Sequence, residues 1–174
     1  MGILPDYLDR RLRVVFCGTA VARESARRGH YYSGPGNEFW KYVFQARFVP
    51  VHLRPEDDAQ ICKHGCGLTD LSKDVAASSD RGLRKHYSVE TFIRKIEKFQ
   101  PIWIAFHGKE AAKAVAHHLG IRGNVTLGRQ SWKIGQSSVF VLPSASGANR
   151  DARRLEGKSS RLEWFRELAL LAGG

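Results

Sequence analysis

Apolar and polar positions alternate along the chain in two rhythms. Leu12 to Cys17 is a short, largely apolar run rich in β-branched residues, the pattern of a strand buried on both faces of a parallel sheet. Ile102 to Phe106 and Val139 to Leu142 repeat it, while Gly65 to Leu71 reads as a short strand or turn at the sheet's edge. Helical spacing appears between these runs. Phe39, Trp40, Val43 and Phe44 share one face behind Asn37, a good N-cap, and Phe92, Ile93, Ile96 and Phe99 share another, opened by Ser88 and stopped at Gln100-Pro101. His107-Gly108 turns the second strand into a helix through about Leu119, closed by Gly120. Val125 to Ile134 carries strand or hairpin structure. A last helix starts at Ser160, where Glu163 completes a capping box, and buries Leu162, Phe165 and Leu168, with Leu171 at the end of the stripe. Strands alternating with helices predict an α/β fold, a three-layer α/β/α sandwich around a mainly parallel central sheet. No long linker or internal repeat divides the sequence, so residues 1–174 are expected to form a single domain.

Charge changes the picture most. Apolar residues make up 43% and charged residues 26%, a globular profile, but 28 Lys and Arg against 17 Asp and Glu leave a net charge of +11. Such an excess on one small domain implies a polyanionic partner, most economically nucleic acid. No apolar run approaches the roughly 18 residues of a membrane span, and the first residues show neither the basic start nor the apolar core of a signal peptide. Cys17, Cys62 and Cys66 cannot form a disulfide framework, which predicts a reducing cytoplasm, with nucleoid association in a bacterium. Cys62-Lys-His-Gly-Cys66 lacks the second Cys or His pair of a structural zinc site, so no metal is expected there. His107-Gly108-Lys109 is too short for a P-loop, and no Gly-x-Gly-x-x-Gly occurs, which argues against a nucleotide-binding metabolic enzyme.

Two loops, 18–37 and 143–154, follow strands and should meet at the carboxyl edge of the sheet, where open α/β folds bind ligands. The first offers glycines and the adjacent Tyr31 and Tyr32; the second offers Ser144-Ala-Ser-Gly-Ala-Asn149, then Arg150, Arg153 and Arg154. An aromatic ring for stacking, small residues for close backbone approach and arginines for phosphates describe a pocket for an extruded nucleotide. Taken singly, each signal also has a plain reading: tyrosines in core packing and arginines on a solvated face.

Together these segments resemble the uracil-DNA glycosylase superfamily, most closely its mismatch-specific uracil/thymine branch. Phe16-Cys17-Gly18 resembles the first motif, and Gly34-Pro35-Gly36-Asn37-Glu38-Phe39-Trp40-Lys41 the segment after it. Phe106-His-Gly-Lys109 is similar to the Gly-Lys turn after a middle strand, and Val141-Leu-Pro-Ser-Ala-Ser-Gly147 fits the second motif, whose loop enters the duplex. The resemblance implies hydrolysis of the bond between a damaged base and deoxyribose, by a monomer without metal or organic cofactor. Uracil-containing DNA would be the substrate and abasic DNA the product. It makes Gly18, Thr19, Tyr32, Asn37 and Ser144 substrate-binding candidates, with the Thr19 and Tyr32 amides facing charge on the departing base and the Tyr32 ring stacked on it. Ser146, Gly147, Ala148, Asn149 and Arg150 match the inserting loop, and Arg153 and Arg154 lie in a longer basic segment, Arg150 to Arg161, that would grip flanking phosphates of the abasic product. The sequence departs from the family at two chemically important positions, one of them Ser144, where the second motif of related enzymes carries Asn or His. Where the first motif carries a water-positioning Asn or Asp, this chain has Ala20, followed by Val21 and Ala22. Glu24, Asp151 and His107 are the candidates to replace it. Without a replacement, the chain would be a non-catalytic module recognising uracil or abasic DNA.

Overall fold

The computed structural model describes residues 2–147 and 152–173, with Ala152 and Arg153 described by their backbone alone. Five strands form one sheet in the order β2-β1-β3-β5-β4: β1 Val14–Ala20, β2 Cys66–Ser72, β3 Trp103–His107, β4 Gly128–Ile134 and β5 Ser137–Leu142. β1 pairs in parallel with β2 and β3, and β3 with β5; β4 returns antiparallel to β5 at the edge. The helices are α1 Arg23–Arg28, α2 Phe39–Gln45, α3 Val89–Phe99, α4 Lys109–His118 and α5 Arg161–Leu171, with short 3-10 segments at Pro55–His64, Arg84–His86 and Ala152–Leu155. α2 and α5 pack together over one face of the sheet, and α3 and α4 over the other, which is the expected α/β/α sandwich.

Burial follows the strand pattern closely. Val14, Val15, Phe16 and Cys17 are wholly buried, with Phe16 edge-on to Phe39 and Phe48 on the α2 face. On the opposite face Phe106 meets Phe92 of α3. Two strand limits differ from expectation. β1 does not break at Gly18 but runs to Ala20, because Gly18 pairs with Asp70 of β2 and leaves room for its carboxylate: a Cβ there would lie 2.6 Å from Asp70 Oδ1. β3 begins at Trp103, and Ile102 is 55% exposed. In α5 the Ser160–Glu163 capping box forms as expected; Phe165 and Leu168 are buried together with Trp164, while Leu171 lies exposed at the frayed end.

β2 is an edge strand, yet every residue in it is buried. The N-terminal segment covers it, with Tyr7 exchanging backbone hydrogen bonds with Leu68 at 2.9 Å in both directions, so the open edge is closed by the chain itself. Its buried residues include Thr69, Asp70 and Ser72, an unusual polar load for a strand interior. Successive connections leave β1 toward β2 and β3 toward β5. The order therefore reverses between β1 and β3, where an open sheet leaves a crevice at its carboxyl ends.

Candidate nucleotide pocket

A cavity of about 780 Å³ occupies that crevice. The end of β1 supplies Gly18, Thr19 and Ala20, the loop after α1 supplies Tyr32 and Asn37, β3 supplies His107, and the loop after β5 supplies Ser144 and Ser146. Its volume lies in the range of small-molecule sites. The structure thus brings together Gly18, Thr19, Tyr32, Asn37, His107, Ser144, Ser146 and Arg154 in one lining. Gly147 sits beside it, pressed against Gly36: a Cβ at Gly147 would lie 3.0 Å from the Gly36 carbonyl oxygen, so any larger residue would push the two loops apart by a few tenths of an ångström.

The tyrosine loop is held from behind. Asp58, 1% exposed, accepts from the Tyr31 amide at 3.0 Å and lies 3.4 Å from His30 Nδ1, while Trp40 Nε1 donates to the Tyr31 carbonyl at 2.9 Å. This clamp forces Tyr32 to φ 53°, a left-handed conformation that costs a bulky residue roughly 1–2 kcal/mol. In that position its ring stacks on Phe39, with centroids 4.0 Å apart and planes 27° apart. The Tyr32 hydroxyl is buried and finds no hydrogen-bond partner among the described residues. Burial and the nearby Asp70 push its ionisation well above the ordinary tyrosine range.

His107 is neutral and of fixed tautomer. Its Nε2 accepts from the Ala145 amide at 2.9 Å, so the ring proton resides on Nδ1. Burial and the Arg161 guanidinium pull its pKa down to about 4. The ring lies against Tyr32 and Phe39, with centroids 4.9 Å and 5.9 Å away. A histidine in this state offers a hydrogen-bond donor and no free lone pair, so it is suited to stabilising negative charge and unsuited to taking a proton from water. Asn37 divides its amide in a similar way: Oδ1 accepts from the Phe39 amide at 2.9 Å just ahead of α2, whose N-cap is Glu38 and not the expected Asn37, and Nδ2 is left to donate.

The other candidates fall differently. Glu24 is not in the cavity lining; it pairs with Arg27 at 2.6 Å and Arg28 at 2.8 Å, which hold its carboxyl down at about 2. Asp151, Ala148, Asn149 and Arg150, together with the Arg153 side chain, lie outside the described residues. Arg161 of the basic segment is a structural cation: it donates to the carbonyls of Ser144 and Ser146 at 3.0 and 2.8 Å and to Glu38 at 2.7 Å, fastening the inserting loop to α2.

Three parts of the site had no clear motif in the sequence. Asp70 lines the cavity while 5% exposed, and its carboxyl, raised by burial against the opposing pull of Lys73, reaches about 7. The signal was a charged residue inside a run that reads as a short strand or turn at the sheet's edge, and the structure makes it the edge strand β2. Residues 77–80 form a wall, tied in by the Thr19 hydroxyl donating to Asp80 at 2.7 Å. Glu156, which no motif marked, pairs at the rim with Lys109 of the Gly-Lys turn and also accepts from the Leu127 amide.

Among the described residues no three His, Cys, Asp or Glu side chains converge on a metal position, and no helix is long and apolar enough to cross a membrane. A solution NMR structure of a candidate uracil DNA glycosylase from Methanosarcina acetivorans matches with a TM-score of 0.54 and 24% identity, over 95% of this chain and 96% of that one. At that identity the likeness speaks for the fold. The sequence itself matches the model of the uracil DNA glycosylase superfamily over residues 5–169, nearly its whole length. The chain belongs to the uracil DNA glycosylase superfamily.

Proposed function

We propose that this protein excises uracil from DNA by extruding the nucleotide into the β1–β3 cavity, in the manner of the mismatch-specific branch. One observation carries the reading: the neutral Nδ1–H donor of His107 lies in the same cavity as the buried, unpartnered hydroxyl of Tyr32. Buried polar groups without partners cost free energy unless a ligand satisfies them. A flipped base does so, stacking on aromatic surface while its polar edge meets these groups.

The chemistry follows from the donors. As the glycosidic bond lengthens, negative charge grows on the base and positive charge on the sugar. Donors fixed in an enclosed cavity stabilise that charge without reorganising, the largest single contribution in many active sites. His107 Nδ1 and Asn37 Nδ2 supply side-chain donors, with the Thr19 and Tyr32 amides beside them. Ala20 offers nothing to orient water, and Glu24 is engaged on the surface. In this reading the rate comes from stabilising the leaving base, and water then captures an oxocarbenium-like sugar that needs little activation. Ser144 and Ser146 border the sugar side, and the basic loop beyond them holds the abasic product.

Incubation with duplexes carrying uracil opposite guanine or adenine, followed by alkaline cleavage, tests this directly. Strand scission with enzyme in excess is the expected outcome, greater opposite guanine if the branch assignment is right. A second reading, a non-catalytic module that recognises uracil or abasic DNA, rests on Ala20. Tight binding of those duplexes without scission at any enzyme excess establishes the second reading and removes the first.

A further inference from the structure

The amino edge of the sheet carries a second concavity, at the other end of β1 from the nucleotide cavity. A groove of about 690 Å³ opens where α2 ends, lined by Phe44, Arg47, Phe48 and Val49 and faced by Arg13 and His64. Five residues of chain along β1, about 16 Å, separate Arg13 from Gly18, so an occupant of the groove leaves the cavity open. Phe48 and Val49 are buried and give the groove an apolar floor. Phe44, 38% exposed, stacks on His52 with centroids 5.2 Å apart, and the neighbouring Val51 is exposed as well.

The charged part of the lining has one sign. Arg13 is half-buried, and its Nη2 donates to the carbonyls of Phe48 and His64 at 2.9 and 3.1 Å. Those carbonyls fix the guanidinium without neutralising it. No Asp or Glu lines the groove, and among the described residues neither Arg13 nor Arg47 pairs with a carboxylate. A half-buried cation without a counter-charge is costly, and an anionic ligand relieves that cost.

Arg47 is an independent sign of use. At the end of α2 its amide donates to the Phe44 carbonyl at 2.9 Å and the Phe48 amide to the Val43 carbonyl at 3.0 Å, with Arg47 itself at φ 67°. Helices favour glycine at that left-handed position, because any side chain there is strained. The Arg47 side chain is exposed and has no ion pair in the fold, so no such contact offsets the strain.

We propose that this groove binds a short acidic peptide segment of a partner protein, with a large apolar side chain next to its carboxylates. The apolar side chain packs on Phe48 and Val49, and the carboxylates meet the planar forks of Arg13 and Arg47. Charge complementarity selects this occupant. The chain carries +11 overall, so a second copy is repelled. DNA suits the groove less, because phosphate contacts come from exposed cations and leave an apolar floor unused.

The probe is a library of short random peptides displayed on phage and panned against the whole protein. Enriched peptides should place Asp or Glu beside Leu, Phe or Trp, and their synthetic consensus should bind in fluorescence anisotropy. Arg47→Gly should weaken that binding about tenfold or more, the loss expected for one charge-assisted hydrogen bond. The same substitution relieves the left-handed backbone, so the variant should melt no lower than wild type, and lost binding cannot come from unfolding. Phe44→Ala should weaken binding through the apolar half. Because a basic protein attracts acidic peptides anywhere, Arg94→Ala on α3 is the control and should leave the affinity as in wild type. The peptide should also stay bound when excess uracil duplex or a single-stranded oligonucleotide is added. Four outcomes each overturn the proposal: no enriched consensus, a consensus without acidic residues, equal affinities in Arg47→Gly and Arg94→Ala, or displacement by DNA. None of these measurements uses excision, so the result is independent of whether the protein is an enzyme.

Discussion

At the floor of the cavity stand Asp70, Tyr32 and His107, polar groups enclosed by β1, β2 and Phe39, with His107 in a fixed tautomer and the Asp70 carboxyl raised by burial. At its rim stand Lys109, Glu156 and Arg154, partly or fully exposed and charged, on segments joined by an ion pair. The same sheet edge supports both. What differs is solvent, and solvent decides what each region can do. Enclosed groups interact strongly, titrate far from their ordinary values and resist salt, so they suit the choice of base. Exposed cations interact weakly one at a time, respond to salt and ignore sequence, so they suit the phosphate backbone. The comparison makes the two regions separable by experiment: pH should act on the floor and ionic strength on the rim.

The largest effect expected is on stability through Asp70. Its folded carboxyl at about 7 lies above the ordinary 3.8. The folded state therefore keeps a proton that the unfolded chain has lost between those values, and stability falls as pH rises from about 4 through 7. A shift of roughly three units corresponds to about 4 kcal/mol at most. His107 works the other way: its folded value of about 4 lies below 6.5, so its contribution is present above 6.5 and lost as pH falls through 4. Urea unfolding at pH 5 and pH 8 separates the two, because wild type should lose stability relative to Asp70→Asn on going to pH 8. An unchanged difference between the two proteins means Asp70 is ionised in the fold throughout.

Next in size is His107. Removing one donor to a developing charge costs roughly 100- to 1,000-fold in rate. His107→Ala should lose about that much in single-turnover excision, with duplex binding and its salt dependence little changed. A loss confined to binding would move His107 from the chemistry to the architecture.

Arg161 sharpens the boundary between regions. By sequence it ends a basic segment, yet its guanidinium is partly buried among Glu38, Ser144 and Ser146, and it lies 5.5 Å from the Tyr42 ring centroid. Arg161→Ala leaves two carbonyls and a carboxylate short of a partner, a loss of roughly 2 kcal/mol for a partly buried group. The midpoint of urea unfolding should drop while the salt slope of DNA binding stays as in wild type. A reduced slope with unchanged stability would place Arg161 on the DNA.

Arg161 also shows why parts of the site were hidden in the sequence. Runs such as Val14–Cys17 and Val139–Leu142 declare themselves, because an apolar run has few alternatives to burial. The strand-end loops were legible because glycines, tyrosines and serines in ordered motifs marked them. Asp70 was not, since nothing local tells a buried carboxylate from one on an exposed turn; its carboxylate packs over Gly18 of the neighbouring strand, 52 positions away in the numbering. Glu24 misled for the complementary reason. It lies on the right connection, but Arg27 and Arg28 at helical spacing draw it to the outer surface.

The smallest effect belongs to the rim. In residues 150–161 Lys158 covers the Trp164 ring at 4.5 Å and Arg161 is engaged in the fold, while Arg153 and Arg154 are the residues that the sequence reading assigns to phosphates. Arg154 is exposed and borders the cavity. Phosphate charge survives base removal, so contacts made here should hold the abasic product and give one fast turnover followed by a slow phase. Each phosphate contact releases about 0.9 counterion, so Arg153→Ala with Arg154→Ala should lower the salt slope of abasic-duplex binding by up to about 1.8. The matched control is Arg94→Ala with Lys98→Ala, which removes the same formal charge from α3, where Arg94 pairs with Glu90 and Lys98 lies over Phe99. Diffuse attraction treats the two double variants alike, because it depends on net charge and not on place. A slope lowered only by the first pair, with the uracil-to-cytosine preference unchanged, assigns the rim to the backbone and the floor to the base. Equal slopes would mean that the segment contributes only to the general positive field.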